Sequence, residues 1–228
     1  MDIQVKKALY GYLSEFVTEN KKQKFDEIVA KRTRYITVVL EDIFQPHNAS
    51  AVLRTCDCFG IQDVHIIENQ YEYLVNPEIA LGASKWLNLI RYNGKENNTP
   101  EALKSLKDNG YRIVATTPHN DDVNIGDLSL EKGPLALVFG TEKKGLTGKA
   151  LDLADEFVKI PMFGFTESFN ISVSAAIVLF SLSQRLHQST LRWQLSEEEM
   201  TDIKILWAKQ VVKSSDLLER NFLKQYFL

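Results

Sequence analysis

The chain begins with hydrophobic residues at helical spacing and then changes to short, continuous apolar runs. Leu9 and Leu13 lie four positions apart, and Phe25, Ile28 and Val29 repeat a spacing of three to four. This period is typical of an amphipathic helix. The pattern therefore predicts one or two helices at the N-terminus.

Beyond residue 34, short runs rich in apolar and β-branched residues predict strands, and longer segments between them predict helices. The predicted strands are residues 35–40, 64–67, 86–90, 111–115, 135–139 and 157–160. The predicted helices run from the cap Asn48 to Gly60, from Thr99 to Gly110, and over about 147–154 and 170–186. Strands of continuous apolar residues that alternate with helices indicate a parallel sheet covered on both faces. The predicted fold class is α/β.

The composition changes again after Leu186. Three consecutive glutamates at 197–199 are followed by hydrophobic residues such as Leu206, Trp207 and Val211 at helical spacing. We therefore predict an N-terminal helical extension over residues 1–30, an α/β domain over 31–188 and a C-terminal helical extension over 189–228.

The charge balance argues against a protein coated in positive charge. The chain has 228 residues, 44% of them hydrophobic and 25% charged, and a net charge of −3. Any nucleic-acid site must therefore be local. The first 34 residues do carry a basic excess, which a solvated helix face explains equally well. This excess consists of Lys6, Lys7, Lys21, Lys22, Lys24, Lys31, Arg32 and Arg34 against Asp2, Glu15, Glu19, Asp26 and Glu27.

Neither a membrane span nor a metal site is expected. The longest apolar stretch, residues 171–182, is interrupted by serines and is shorter than the roughly 20 residues of a span. The first residues lack the order of a signal peptide, which predicts a cytoplasmic protein. Cys56 and Cys58 have no second pair that could complete a zinc site, so we interpret them as reduced thiols on a helix and assign no metal.

Three polar segments follow predicted strands, at residues 42–54, 140–147 and 161–170. Ligands bind where parallel strands end, so these segments are the candidates for chemistry. The second nearly spells a phosphate-binding P-loop, but Leu146 stands where that loop needs lysine. The sequence also lacks a Gly-x-Gly-x-x-Gly fingerprint and a recognisable nucleophile elbow. Nucleoside triphosphatase, dinucleotide-dependent and serine-hydrolase chemistry are therefore disfavoured.

The same segments resemble, in order and spacing, the three motifs of the SpoU/TrmH family of RNA ribose 2'-O-methyltransferases, a branch of the trefoil-knotted methyltransferases. The first motif matches residues 41–57, the second 137–146 and the third 160–177, and a Gly-Ala-Ser-Lys-Trp stretch at 82–86 matches as well. The resemblance covers residues 31–180, about two-thirds of the chain.

This resemblance implies a deep knot in the C-terminal half of the domain, S-adenosylmethionine as cofactor, and an obligate homodimer whose active sites use both subunits. It also implies tRNA as substrate, with guanosine 18 of the D-loop as the target. The short helical arms, in place of an N-terminal RNA-binding domain, favour tRNA. Ribosomal RNA is the first alternative, and a knotted RNA-binding protein without catalysis is the second.

Carried over position by position, the resemblance also assigns roles to individual residues. The residues that would contact the methyl donor are Thr116, Gly140, Ile160, Met162 and Phe169. The residues that would take part in catalysis are Asn48, Arg54, Glu142, Ser168 and Asn170. Structural readings remain open beside these roles: Asn48 as a helix cap, Glu142 as a carboxylate in a first helical turn, and Ser168 with Asn170 as a capping pair. Because all five of these catalytic residues are present, the alternative of a knotted RNA-binding protein without catalysis is disfavoured.

The family's candidate base is Arg54, although a guanidinium holds its proton too tightly to serve readily as a base. We therefore expect Arg54 to bind a backbone phosphate near the target. An oxygen of that phosphate would accept the 2'-hydroxyl proton, while Asn48 and Glu142 orient the guanidinium.

Overall fold

A computed structural model describes residues 1–74, 76–118, 122–141 and 144–227. The chain divides into two compact units, one formed by Arg34–Trp193 and the other by Met1–Thr33 together with Gln194–Leu228. The two terminal segments, which the sequence suggested as separate extensions, thus share one helical unit. Their pairing is a contact between distant parts of the chain, which local periodicity does not reveal.

The larger unit contains the predicted parallel sheet. Its strands are β1 (Ile36–Glu41), β2 (Asp63–Ile67), β3 (Asn88–Tyr92), β4 (Arg112–Thr116), β5 (Val123–Asn124), β6 (Leu135–Phe139) and β7 (Glu156–Lys159). They lie in the order β3-β2-β1-β6-β4-β7-β5, and every neighbouring pair is parallel. The parallel α/β class is confirmed. The trefoil knot stays a prediction, because strand order alone does not define it.

Helices cover both faces of this sheet. Along β1, Ile36, Val38 and Leu40 pack in one hydrophobic cluster, and Val39 packs in another. The first cluster takes in the helices Pro46–Cys58 and Ile171–Gln188, and the second takes in the helices Thr99–Asp108 and Gly148–Leu153. The helices of the whole chain are α1 (Ile3–Ser14), α2 (Glu19–Val29), α3 (Pro46–Cys58), α4 (Pro77–Ala80), α5 (Thr99–Asp108), α6 (Gly148–Leu153), α7 (Ile171–Gln188), α8 (Glu197–Val211) and α9 (Ser215–Tyr226).

Several predicted boundaries shift. The strand expected at 86–90 begins at Asn88, because a 3-10 turn, Ala83–Lys85, comes first and is closed by Trp86. The two-residue β5 and the four-residue α4 were not predicted, since neither is long enough to show a period. Cys56 and Cys58 are free thiols on α3, as expected. Within the described ranges, no helix is both long and apolar enough to span a membrane.

The smaller unit neutralises part of the N-terminal basic excess internally. The Lys6 ammonium lies 2.8 Å from a carboxylate oxygen of Glu198 and 2.8 Å from one of Asp202, both on α8. Two further pairs in this unit are Lys7 with Glu197, at 2.6 Å, and Lys22 with Glu19, at 2.7 Å. This arrangement favours the structural interpretation for three of the six lysines, namely Lys6, Lys7 and Lys22.

The partly buried imidazole of His65 on β2 predicts a loss of stability in mild acid. Burial lowers the pKa of His65 from 6.5 to about 4, although the negative charge of Asp63 acts in the opposite direction. Because the folded state holds this histidine neutral, the unfolded state binds the proton first as the pH falls below 6.5. Stability is therefore full above pH 6.5 and decreases towards pH 4, by up to about 3 kcal/mol.

We expect the substitution His65→Gln to flatten this part of the stability profile. Urea unfolding of both proteins at pH 7.5 and 4.5 measures the effect. An equal loss of stability in the two proteins would contradict the assignment to His65.

Candidate active site

All five residues with predicted donor contacts line one cavity of about 380 Å³, which we call the strand-end cavity. It lies where β4, β6 and β7 end, and its volume is within the range of small-molecule sites. The predicted catalytic residue Ser168 lines it too and is exposed. The residues that the cavity brings together are Thr116, Gly140, Ile160, Met162, Phe169 and Ser168.

A closed loop after β6 forms part of the wall. The Thr141 amide donates to the Gly145 carbonyl at 3.0 Å, and the Gly145 amide donates back to the Thr141 carbonyl at 2.9 Å. Gly145 packs so closely against Gly140 that a Cβ at residue 140 would lie 2.3 Å from the carbonyl carbon and oxygen of Gly145. Only glycine fits this position. Glu142 falls outside the described residues, so its role stays a prediction.

At the end of β4, the Thr116 hydroxyl donates to the Val138 carbonyl at 2.9 Å. The hydroxyl proton is therefore already used in a hydrogen bond to β6. Any donation from Thr116 to a ligand must come from its backbone, in line with the expectation that many donor contacts are made by the main chain.

Two asparagines of the predicted catalytic set meet at the starts of α3 and α7. The Asn170 side-chain Nδ2 donates to the Asn48 side-chain Oδ1 at 3.1 Å, and the Asn48 Nδ2 donates to the Gln45 Oε1 at 3.0 Å. Asn170 also caps α7, because its side chain accepts from the Ser172 amide at 2.9 Å. The pair thus joins the first and third motifs.

The prediction that Asn48 caps α3 is wrong. The helix begins at Pro46, Gln45 occupies the cap position without a side-chain cap, and Asn48 lies inside the first turn. Proline is favoured at the first helical position because its fixed φ suits the helix and its missing N–H costs nothing there. The Asn48 side chain is therefore left for the contact with Asn170.

Arg54 does not join this group within one chain. It is exposed on α3, lines neither the strand-end cavity nor the neighbouring one, and makes no hydrogen bond or ion pair with any residue that the structure describes. Its guanidinium is thus available to a phosphate or to a second subunit. Nor do the described ranges contain three or more His, Cys, Asp or Glu side chains close enough to hold a metal ion.

A second cavity, of about 360 Å³, lies beside the first and was not anticipated from the sequence. We call it the adjoining cavity. Asn48, Gln45, Gln70, Phe44 and Tyr71 lie on its wall. The two cavities share a set of wall residues, namely Thr141, Lys144, Gly145, Leu146 and Ile171.

Two acidic residues at the end of β1 tie the surrounding loops together. The Glu41 carboxylate is 1% exposed and accepts hydrogen bonds from the hydroxyls of Thr99, at 2.6 Å, and Thr147, at 2.7 Å, and from the Thr147 amide, at 2.9 Å. It therefore links β1 to the starts of α5 and α6.

Asp42 stabilises a different turn, at residues 69–71. One of its carboxylate oxygens accepts from the backbone amides of Asn69, Gln70 and Tyr71, at 2.7, 2.8 and 3.3 Å. Its own backbone has φ 55°, in the left-handed region that few residues other than glycine adopt. Neither acid was assigned a role from the sequence, although two consecutive carboxylates at the end of a buried strand are a signal that could have indicated one.

We expect Asp42→Ala to destabilise the protein by about 2–4 kcal/mol. It leaves three backbone donors without their acceptor and places a Cβ without compensating hydrogen bonds in the left-handed region. Asp42→Asn is the matched control, because asparagine keeps an acceptor oxygen and tolerates this conformation. Chemical denaturation measures both variants, and equal stabilities would show that the amide contacts contribute little.

Comparison with known proteins agrees with this geometry. The profile of the SpoU rRNA Methylase family matches residues 35–180. The chain is 43% identical to the tRNA (guanosine(18)-2'-O)-methyltransferase of Borreliella burgdorferi, over 96% of this chain and 98% of that protein. The Thermus thermophilus protein of the same name is 35% identical over 74% of this chain and 84% of its own length.

A solved structure is similar as well. The TrmH/SpoU tRNA modifying enzyme of Aquifex aeolicus superposes with a TM-score of 0.75 at 30% identity, covering 86% of this chain and 98% of that one. Sequence profile, near-full-length relative and fold thus agree. The chain belongs to the SpoU rRNA Methylase family.

Proposed function

We propose that the protein transfers a methyl group from S-adenosylmethionine to the ribose 2'-hydroxyl of guanosine 18 in tRNA. The observation that carries this proposal is the match, over nearly the whole of both chains, to a tRNA (guanosine(18)-2'-O)-methyltransferase. The trefoil knot, the homodimer and a cytoplasmic site of action, where tRNA is modified, are parts of the same proposal.

The strand-end cavity fits the cofactor chemically. Ile160, Met162 and Phe169 offer apolar surface to an adenine ring, and strand-end backbone groups offer hydrogen bonds to its edge. Glu167 and Lys144, also on the wall, can attract the ammonium and the carboxylate of the methionine part.

S-adenosylmethionine supplies, when bound, a methyl group on a sulfonium that needs no further activation. The protein's task is to align the ribose oxygen and to help remove its proton. Asn48 and Asn170, joined at 3.1 Å, are placed to orient the ribose next to the strand-end cavity. Arg54 holds a backbone phosphate, and an oxygen of that phosphate accepts the proton.

The exposed position of Arg54 favours a site built from two subunits. Arg54 lines neither cavity of its own chain, so within a dimer it can serve the site of the other copy. The third motif also leaves Phe163 and Phe165 fully exposed, and Phe180, which follows the motif on α7, is 57% exposed. Exposed apolar surface of this kind is typical of an interface.

Mixing two inactive variants tests the shared site. Arg54→Ala removes the guanidinium, and Asn170→Ser removes the amide while keeping a capping oxygen. If the two residues act across subunits, each mixed dimer has one intact site. Half of the dimers are mixed and half of their sites are intact, so about a quarter of the wild-type activity should return. No recovery after subunit exchange would place both residues in one subunit or exclude the dimer.

The substrate assignment is tested with labelled donor and isolated RNAs. We expect label in a tRNA transcript with guanosine at position 18, located by mass spectrometry after nuclease digestion. The matched control carries 2'-deoxyguanosine there and should take up no label. Label confined to ribosomal RNA, or equal label in both transcripts, would contradict the proposal.

A further inference from the structure

The adjoining cavity carries an unexplained pair of aromatic side chains at its wall. The rings of Phe44 and Tyr71 lie 4.8 Å apart between centroids, at an interplanar angle of 61°. Phe44 is 64% exposed and Tyr71 37% exposed, so ring surface stays open to a ligand. We propose that this pair is the stacking surface for the base of the target nucleotide, which enters the adjoining cavity after leaving the RNA stack. The inference rests on the proposed function and names the specificity-determining residues of the acceptor site.

The position of the cavity supports a base as its occupant. The two cavities share five wall residues, and Asn48, on the wall of the adjoining cavity, contacts Asn170, the neighbour of Phe169 in the strand-end cavity. In a nucleotide the base is bonded directly to the ribose. A ribose held beside the asparagine pair therefore presents its 2'-hydroxyl towards one cavity and its base towards the other.

The chemistry of the wall favours a base over a phosphate. Ile43, Phe44 and Leu146 are apolar. The buried carboxylates of Glu41 and Asp42 offset the positive charge of Lys144 on the same wall, which leaves little attraction for an anion. Unstacked RNA bases are recognised by stacking on aromatic side chains together with hydrogen bonds to their edges.

Two amides on the wall can provide such edge contacts. The Gln45 side-chain oxygen accepts from Asn48, which leaves its amide hydrogens for donation. Gln70 lies on the same wall, and its side chain both donates and accepts. Side-chain amides that can donate and accept suit guanine, whose edges carry donors as well as acceptors.

The turn that carries Tyr71 is held rigidly. The Asp42 carboxylate fixes three successive backbone amides of this turn, the last being that of Tyr71 itself. Backbone strain such as the left-handed Asp42 is often found where a site must be kept in one geometry. The aromatic pair therefore exists before RNA binds.

The test compares two tRNA substrates that both keep the 2'-hydroxyl at position 18, one with guanine and one without a base. Phe44→Leu keeps an apolar side chain but removes the ring, and we expect about a tenfold or larger loss of kcat/KM on the guanine-bearing tRNA, with little change on the abasic tRNA. Phe44→Trp should retain the difference between the substrates. Affinity for both RNAs is measured in parallel, so that a slowly methylated abasic tRNA still reports the effect.

Phe16→Leu is the matched control, since Phe16 is also an exposed aromatic, 53% exposed, but belongs to the helical unit. It should change both substrates equally or not at all. If Phe44→Leu lowers the rate and affinity of both tRNAs equally, or of neither, the stacking role is overturned while the methyltransferase assignment stands. If the wild-type protein methylates no tRNA, the proposed function fails and the inference fails with it.

Discussion

Replacing Arg54 with lysine should slow methyl transfer nearly as much as replacing it with alanine, by a factor on the order of a hundred or more. Arginine can hold a phosphate through two parallel hydrogen bonds, and a lysine ammonium cannot reproduce that planar fork. If the guanidinium were itself the base, lysine, with a reference pKa of about 10.4, would be the easier base and would preserve much of the rate.

Single-turnover rates across pH, at saturating RNA, separate these two mechanisms. Donor affinity should be nearly unchanged in both variants, because Arg54 lies outside the strand-end cavity. Arg192, another exposed arginine of the larger unit, provides the control substitution Arg192→Ala. A lysine enzyme that keeps most of the wild-type rate would overturn the phosphate-binding role.

The larger elements could be predicted because their signals are local. The continuous apolar run of β1 indicated a strand buried on both sides, and the structure packs Val38 and Val39 into clusters on opposite faces. The length and the cap of α7 followed from Asn170 and the apolar residues after it. Burial patterns of this kind depend on neighbours within a few positions.

The missed features depend on contacts between distant residues. The partners of Glu41 lie 58 and 106 positions away, at Thr99 and Thr147, and those of Asp42 lie 27 to 29 positions away. The Phe44–Tyr71 pair is formed through the second of these connections. No periodicity in the sequence encodes such pairings. The resemblance to a family named residues of the strand-end cavity, but on the adjoining cavity it named Asn48 and neither ring of the aromatic pair.

Gly140→Ala should greatly weaken donor binding and also destabilise the protein. The added Cβ would lie 2.3 Å from the Gly145 carbonyl group and 2.5 Å from the Leu146 nitrogen, so backbone atoms, rather than a flexible side chain, must move. Gly145 and Leu146 line the strand-end cavity, and their displacement therefore changes the cavity's shape. We expect a loss of stability of about 1–3 kcal/mol or more, as in other overpacked sites.

Gly148→Ala is the matched control, because a Cβ at Gly148, the first residue of α6, meets nothing within 4 Å. Alanine is the better helix former, so this variant should keep the wild-type donor affinity and equal or exceed the wild-type stability. Calorimetric titration with S-adenosylmethionine, beside thermal unfolding of the three proteins, measures both effects. If Gly140→Ala bound the donor as tightly as Gly148→Ala does, the loop after β6 could not form part of the donor site, and the strand-end cavity would lose its assignment.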